Sequence, residues 1–358
     1  MNDPVEDLME DRRPRMVRRL DSNLGRPRWE SAGAHMVSAM MVAEQAGVRM
    51  MKECFEIEAS KATPQYGFRK GLTLFGDEGY QAAKHELKVN LLGRGCIDML
   101  SWKNLTWDIR KQALGYLMFL KRKRSGKMKG RGCADGRPQR EYITKEESSS
   151  PTISLDALMG SSLMDAIDGR KVITVDIPGA FLQGDWPQDE HPGYIMFEGI
   201  MVDMICEIDS SYNNKIIWSK DRKKKFLYSR LIKAVYGTLL GAIIFYNKLS
   251  KHLTNHGFVQ NEYDMCTFNK MVNDEQITVQ FHVDDLKVSH KEESVLEGFL
   301  GDLRSEFGQE DELTENTGLV HEYLGITIDY SIAGKVVFTM FDYLEDVIVE
   351  AAKDLKNS

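Results

Sequence analysis

The sequence predicts an α+β fold centred on a split βαβ unit, βαββαβ, of the ferredoxin-like kind. Three observations predict it. First, a short apolar strand, Lys171-Val-Ile-Thr-Val-Asp176, ends on a carboxylate and is stopped by Pro178-Gly179. Proline cannot donate to a strand ladder and glycine favours a turn. Second, two β-branched runs flank the pair Asp284-Asp285 within residues 276–290, which reads as a tight hairpin with the acidic pair at its tip. Third, amphipathic helices stand before and after that hairpin. Ile243–His256 places Phe245, Leu249 and Leu253 four apart, with Gly257 as its C′ residue. Glu292–Phe307 carries Val295, Leu296, Phe299, Leu300, Leu303 and Phe307 on one stripe, closed by Gly308. Cys266–Met271 and Ile277–Val283 read as strands, and Tyr323–Tyr330 (YLGITIDY) alternates as the last one. In this topology the first strand and the hairpin are central neighbours, so Asp176 and Asp284 are expected side by side.

That expectation carries the chemistry. Two carboxylates ~4 Å apart repel by on the order of 1–4 kcal/mol, depending on screening. A hairpin tip gains nothing from a second Asp that Asn or Gly would not supply. A divalent cation reverses the sign of the interaction. Asp176 with Asp284 and Asp285 is the minimum set for two-metal phosphoryl transfer. Taken singly, Asp176 reads more readily as a turn-former and the acidic pair as a surface turn; the two together, in this order of strands and helices, favour the metal site.

The chain has 358 residues, 42% apolar and 28% charged, with a formal net charge of −7. This composition is that of a soluble globular protein with room for two or three subdomains. The net charge does not advertise nucleic-acid binding, but its distribution does more. Lys121–Arg140 holds nine Lys or Arg against one Asp, and Lys220–Lys225 (KDRKKK) is a second basic run. Such patches suit a polyanion held in one groove, and equally a solvated loop or a localisation tract. The five cysteines (Cys54, Cys96, Cys133, Cys206, Cys266) form no CxxC pair, which argues against a disulfide framework or a zinc site and for a reducing compartment. No signal-like or membrane-length apolar run is present.

Along the chain, Met1–Phe68 reads as an Arg-rich leader or linker with a Met- and Ala-rich helical stretch, Ala34–Ile57. Asp77–Leu92 reads as a helix capped by Asp77. Leu105–Leu120 is a helix or a helix–strand pair with Thr106 as its cap. Ser125-Gly126 is a turn joining Tyr116–Lys123 to Lys127–Arg131 in a basic hairpin. Arg137–Ser150 reads as a loop, Tyr194–Phe197 as a strand, and Asn213–Arg230 as a loop or hairpin interleaving basic residues with Trp218, Phe226 and Tyr228. Val336–Thr339 is strand-like and Tyr343–Leu355 is a helix.

Residues from Gly76 to Asp354 resemble the reverse transcriptase of copia-type LTR retrotransposons. The resemblance rests on Asp176-Ile-Pro-Gly-Ala-Phe-Leu-Gln-Gly184 (D-x-x-x-A-F-L-x-G) and Lys233-Ala-Val-Tyr-Gly237 (K-A-L-Y-G). It rests also on Gly257-Phe258 with Asp264-Met-Cys-Thr-Phe268, His282-Val-Asp-Asp285 (Y-V-D-D) and Tyr323-Leu-Gly-Ile326 (F-L-G-I). Five such pieces in order and spacing are specific.

The resemblance implies a right-hand polymerase with a ferredoxin-like palm, fingers and a truncated thumb. Its divisions are a leader at 1–75, fingers at 76–170 and 187–235, palm at 171–186 and 236–330, and the start of a thumb at 331–358. It implies that Asp176, Asp284, Asp285 and the carbonyl of Ile177 hold two Mg²⁺ ions, replaceable by Mn²⁺. Lys129 and Arg131 would grip the incoming dNTP. Phe181 would reject a ribose 2′-hydroxyl, with Tyr236 and Gly237 lining the nucleotide pocket. His282, Tyr323, Leu324 and Gly325 would support the RNA or DNA template-primer. The implied locations are a cytoplasmic virus-like particle and the nucleus.

Three departures stand out: His282 for the family's Tyr, Gly130 for Ala, and Thr238-Leu-Leu-Gly-Ala242 for L-K-Q-A-P. The protease, integrase and ribonuclease H signatures of the polyprotein are not found in the chain, which is therefore expected to be a fragment. The competing expectation is a catalytically inactive, nucleic-acid-binding relic. A nucleotide cyclase, the third two-metal reading, has no use for the basic hairpin.

Overall fold

The computed structural model describes residues 64–340, apart from Arg124 and Glu190, together with Leu344. The expected helices at Ala34–Ile57 and Tyr343–Leu355 lie outside the described residues, save Leu344. Described residues build three sheets.

The first sheet has seven strands. Its path is β1 (Gln65–Gly67), β3 (Leu114–Arg122), β6 (Tyr194–Glu198), β8 (Lys225–Leu231) and β2 (Ile97–Met99). β4 (Met128–Ala134) pairs with β3 and β7 (Ile217–Trp218) with β8. The basic hairpin is therefore β3–β4, with the turn at Ser125-Gly126 as the sequence predicts. Helix α1 (Phe68–Glu86) lies against it. A Cβ on Gly71 would meet the Leu120 side chain at 2.8 Å, so glycine here lets α1 pack close on β3. α1 starts earlier than the expected Asp77, because its non-helical break sits at Gly76 rather than at a cap. Residues 68–75 thus belong to this packed body, not to a leader ending at 75. Thr106 does cap a helix, α2 (Trp107–Gln112), accepting from the Ile109 N–H. The expected loop at 137–150 contains a short helix, α3 (Lys145–Ser148), closed by a Thr144/Glu147 capping box. A further helix, α5 (Ile200–Ile208), buries Met201, Val202, Met204 and Ile205.

The second sheet has the order β13 (Thr314–Asn316), β5 (Lys171–Asp176), β12 (Asp285–His290), β11 (Glu275–His282), β10 (Thr267–Val272), β9 (Val259–Gln260). With α6 (Gly241–Asn255) and α7 (Glu293–Phe307) packed on one face, the inner strands follow the split βαβ order. The stripes expected on both helices are buried there: Phe245, Leu249, Leu253, Leu296, Phe299, Leu300, Leu303 and Phe307.

The fourth strand is a correction. It is β13, not Tyr323–Tyr330. Leu324 and Gly325 both take positive φ, 54° and 75°, which breaks YLGITIDY into a hairpin. β14 (Val320–Tyr323) and β15 (Ile326–Asp329) then join β16 (Val337–Thr339) as a separate three-stranded sheet.

Helix α4 (Leu155–Asp168) covers the other face of the second sheet. This too differs from the expected division, which put 76–170 in one body with the basic hairpin. Side chains alternate along strands, and the register puts Asp176, Asp285 and His282 in one row of this face, with Thr174, Lys287, Gln280 and Thr267 in the next. α4 meets this polar face with polar groups. Lys287 and Asp165 form an ion pair at 2.5 Å with both side chains 1% exposed, and Lys287 also donates to Ser161. The Gln280 amide donates to the Ala157 carbonyl. The helix consequently turns its apolar stripe, Leu155, Met159, Leu163 and Ile167, outward.

Candidate active site

β5 and β12 are adjacent antiparallel strands, and Asp176 stands directly opposite Asp285. The β11–β12 hairpin closes on the pair His282–Asp285, leaving Val283-Asp284 as a two-residue turn. The Ile177 N–H donates to the Asp284 carbonyl at 3.0 Å, fixing the turn over the end of β5. Val283 holds φ +58°. A β-branched residue there costs roughly 1–3 kcal/mol, so the hairpin is held by its surroundings. One holder is Tyr323, 2% exposed, whose hydroxyl donates to the Asp285 carbonyl at 3.2 Å. Leu324 packs on the same core and Gly325 completes the turn after it.

The three carboxylates feel one another. Burial, then Asp284, then Asp176 push the Asp285 carboxyl up to about 6. Burial, then Asp284 raise Asp176. Lys129 opposes that rise, so the basic strand β4 reaches the carboxylates electrostatically. Desolvation, then Arg131 and Lys123 hold the Lys129 amine below the ordinary lysine range. Lys129 and Arg131 alternate onto the exposed side of β4, between buried Met128, Gly130 and Gly132.

Phe181, Tyr236 and Arg131 form one stack. The Phe181 and Tyr236 rings meet edge to face at 5.1 Å, and the Arg131 guanidinium lies 5.7 Å from the Tyr236 centroid. Gly237 has φ +85°, and a Cβ there would strike the Ala134 carbonyl at 2.1 Å. The Tyr236 carbonyl accepts from the Ala134 N–H at 2.7 Å. The Lys233–Gly237 loop therefore docks flush against β4 only because residue 237 is glycine.

The fold thus gathers the sequence-selected residues in two adjoining groups. Asp176, Ile177, His282, Asp284, Asp285 and Tyr323 surround the hairpin. Phe181, Tyr236, Gly237 and Arg131 form the wall beside it, with Lys129 linking the two.

Sequence reasoning passed over the supports. Arg94, whose side chain is 4% exposed, pairs with Glu310 at 2.7 Å and with Asp311, and its guanidinium lies against Gly179 in the turn after Asp176. Glu86 accepts from the Gly132 N–H and so ties α1 to β4. A signal for Arg94 exists: one cation among apolar residues, between Gly93 and Gly95.

Among the described residues no three His, Cys, Asp or Glu side chains already converge as a metal shell. The set nonetheless suits hard divalent cations: oxygen donors only, sharing one sheet end, with like-charge strain that a cation would relieve.

Comparison with known proteins shows the family at the level of reverse transcriptase, through a family model alone. No curated protein matches. Telomerase from Candida albicans, solved in complex with a TWJ fragment of telomeric RNA, is similar at 11% identity and a TM-score of 0.35. The match covers 68% of this chain and 49% of that one, so the chain spans about half of that protein. The family model described as reverse transcriptase (RNA-dependent DNA polymerase) matches residues 107–357, most of the chain, and the chain belongs to that family.

Proposed function

We propose that the chain is an RNA-directed DNA polymerase of the copia type, adding dNTPs to a primer 3′-hydroxyl on an RNA or DNA template. One observation carries the reading: the register of β5 and β12 sets Asp176 opposite Asp285, with Asp284 beside them in the β11–β12 turn, tied to the end of β5 by the Ile177 N–H. On this reading the second sheet is the palm and the first the fingers.

Asp176, Asp284 and Asp285, with the Ile177 carbonyl, would hold two Mg²⁺ ions. Bound there, such ions supply Lewis-acid activation of the attacking hydroxyl and charge neutralisation of the triphosphate. The remaining work falls to this chain's side chains. Lys129 and Arg131 bind the triphosphate oxygens from the exposed side of β4. Tyr236, braced by Arg131 and Phe181, forms the pocket floor under the sugar. The Phe181 ring excludes a ribose 2′-hydroxyl. Tyr323 steadies the hairpin through the Asp285 carbonyl, while His282, Leu324 and Gly325 face the primer end.

Asp284→Asn tests the assignment. It removes one ligand charge and leaves the turn intact. Nucleotide incorporation is expected to fall by at least about a hundredfold while template-primer affinity stays within about twofold, given that such ligand and charge losses cost several kcal/mol in the transition state only. Incorporation equal to wild type would remove the metal reading.

A further inference from the structure

Four tryptophans are described, and three of them, Trp102, Trp107 and Trp218, are 61%, 70% and 53% exposed. Tryptophan is highly buried on average, so three outward rings on one body call for a ligand. They share one place in the fold. β2 and β7 lie end to end along the same edge of β8. Met99 pairs with Ser229 and Trp218 with Lys225, and the Leu100 N–H donates to the Tyr228 carbonyl between them. The Lys215 amine binds the Met99 carbonyl at 2.7 Å, tying the Trp218 segment to the Trp102 segment. α2 follows the Trp102 turn directly: the Leu105 N–H donates to the Trp102 carbonyl, and Thr106 caps the helix that begins at Trp107.

Cations accompany the rings. Lys103 lies 6.0 Å from the Trp102 ring and Lys111 5.4 Å from that of Trp107. Lys220, Arg222 and Lys223 are exposed in the turn after Trp218. Lys224 and Lys225, by contrast, are held by Glu198 and Asp203.

We propose that this edge of β8 is a docking track for single-stranded nucleic acid, with bases stacking on Trp102, Trp107 and Trp218 and phosphates meeting the lysines and arginines beside them. Aromatic rings interleaved with cations are what an unpaired, sequence-varied strand requires, since every base has a stackable face and every nucleotide one phosphate. A protein partner would not need the cations, and duplex would hide its bases from the rings. The track is separate from the carboxylate site. β8 has seven residues, about 20 Å at ~3.3 Å per residue. It leads from the Trp218 end toward the Lys233–Gly237 loop at the nucleotide wall. Resting on the polymerase reading for the identity of the strand alone, the track holds template that has not yet been copied.

The test is anisotropy of a labelled hairpin template-primer, with neither metal nor dNTP. The duplex is either blunt or extended by an unpaired template strand of about 12 nucleotides, within the roughly 4–16 such grooves cover. Wild type is expected to favour the extended form by at least about tenfold. Trp102→Ala/Trp107→Ala/Trp218→Ala should erase the preference while leaving blunt affinity unchanged, which also reports correct folding. Trp→Phe at the same three positions should restore most of it. Lys103→Gln/Lys111→Gln should flatten the salt dependence of the extended form only. Equal affinity of wild type for both forms, or an undiminished preference in the triple alanine variant, overturns the proposal. So does a dimer that the triple variant breaks while strand binding stays the same, which would make the edge a self-association face. A wild type that prefers the overhang but extends no primer would sink the polymerase reading and leave the track standing.

Discussion

At the scale of single residues the site is a balance of strain and repulsion held by neighbours. Val283 sits at positive φ where glycine would sit freely. Val283→Gly is expected to leave thermal stability unchanged or raise it by up to ~1 kcal/mol as strain is released against the entropy glycine adds. Incorporation should drop, because Asp284 is aimed by a stiffer turn than glycine provides. A Val283→Gly enzyme with full activity and lowered stability would show that the turn is ordinary. Phe181→Ala should narrow the preference for dNTP over rNTP in single-nucleotide incorporation; an unchanged ratio would leave the ring as core packing against Tyr236 alone.

His321 is fully buried, touching Thr174 at 3.2 Å through Nδ1. Burial first, then the Lys287 charge, lower its pKa. Its folded pKa lies below the unfolded value of about 6.5, so the neutral ring's contribution is intact above that value and is lost as the pH falls below it. Urea midpoints measured from pH 7.5 to 5 should fall more steeply for wild type than for His321→Asn, and parallel slopes would contradict this.

Among the elements, α4 is the one that least resembles its sequence pattern. Four of its apolar residues, Leu155, Met159, Leu163 and Ile167, recur every fourth position, which ordinarily marks the buried face, yet they point outward over a largely polar sheet face, while Leu158 and Ala166 turn inward. The partner of that face is Lys287, buried with Asp165. Lys287→Met alone should cost about 3–5 kcal/mol, since it strands a buried carboxylate, whereas Lys287→Met/Asp165→Leu should recover much of that. Leu163→Gln, on the outward stripe, should stay within about 0.5 kcal/mol. Chemical denaturation of the three variants reads all of this.

The same contrast explains what was legible. α6, α7, the basic hairpin and the acidic hairpin follow from local periodicity and turn residues, so they stood in the sequence. β13 is three polar residues with no alternation, and its membership in the sheet is decided by β5 alone. The break at Leu324-Gly325 needs a non-glycine residue at positive φ, which no propensity foretells. Arg94, Glu86 and Lys287 support the site through partners distant in sequence, visible only once the chain is folded.

For the molecule as a whole, two sheets, β3–β4 with β8 and β5 with β11–β12, set two groups of residues against one another, anionic on one side and cationic on the other. Lys129 and Asp176 already influence each other across them. Such a pairing suits a bridging ligand that carries phosphates to one side and metal ions to the other, as a metal-bound nucleoside triphosphate does. The most direct measurement is extension of an oligo(dT) primer on poly(rA) by the purified chain, with and without Mg²⁺, beside Asp176→Asn. Products that require the metal and vanish in the variant are expected. Metal-dependent products of equal yield from Asp176→Asn, or salt-sensitive template-primer binding with no products from wild type, would contradict this expectation.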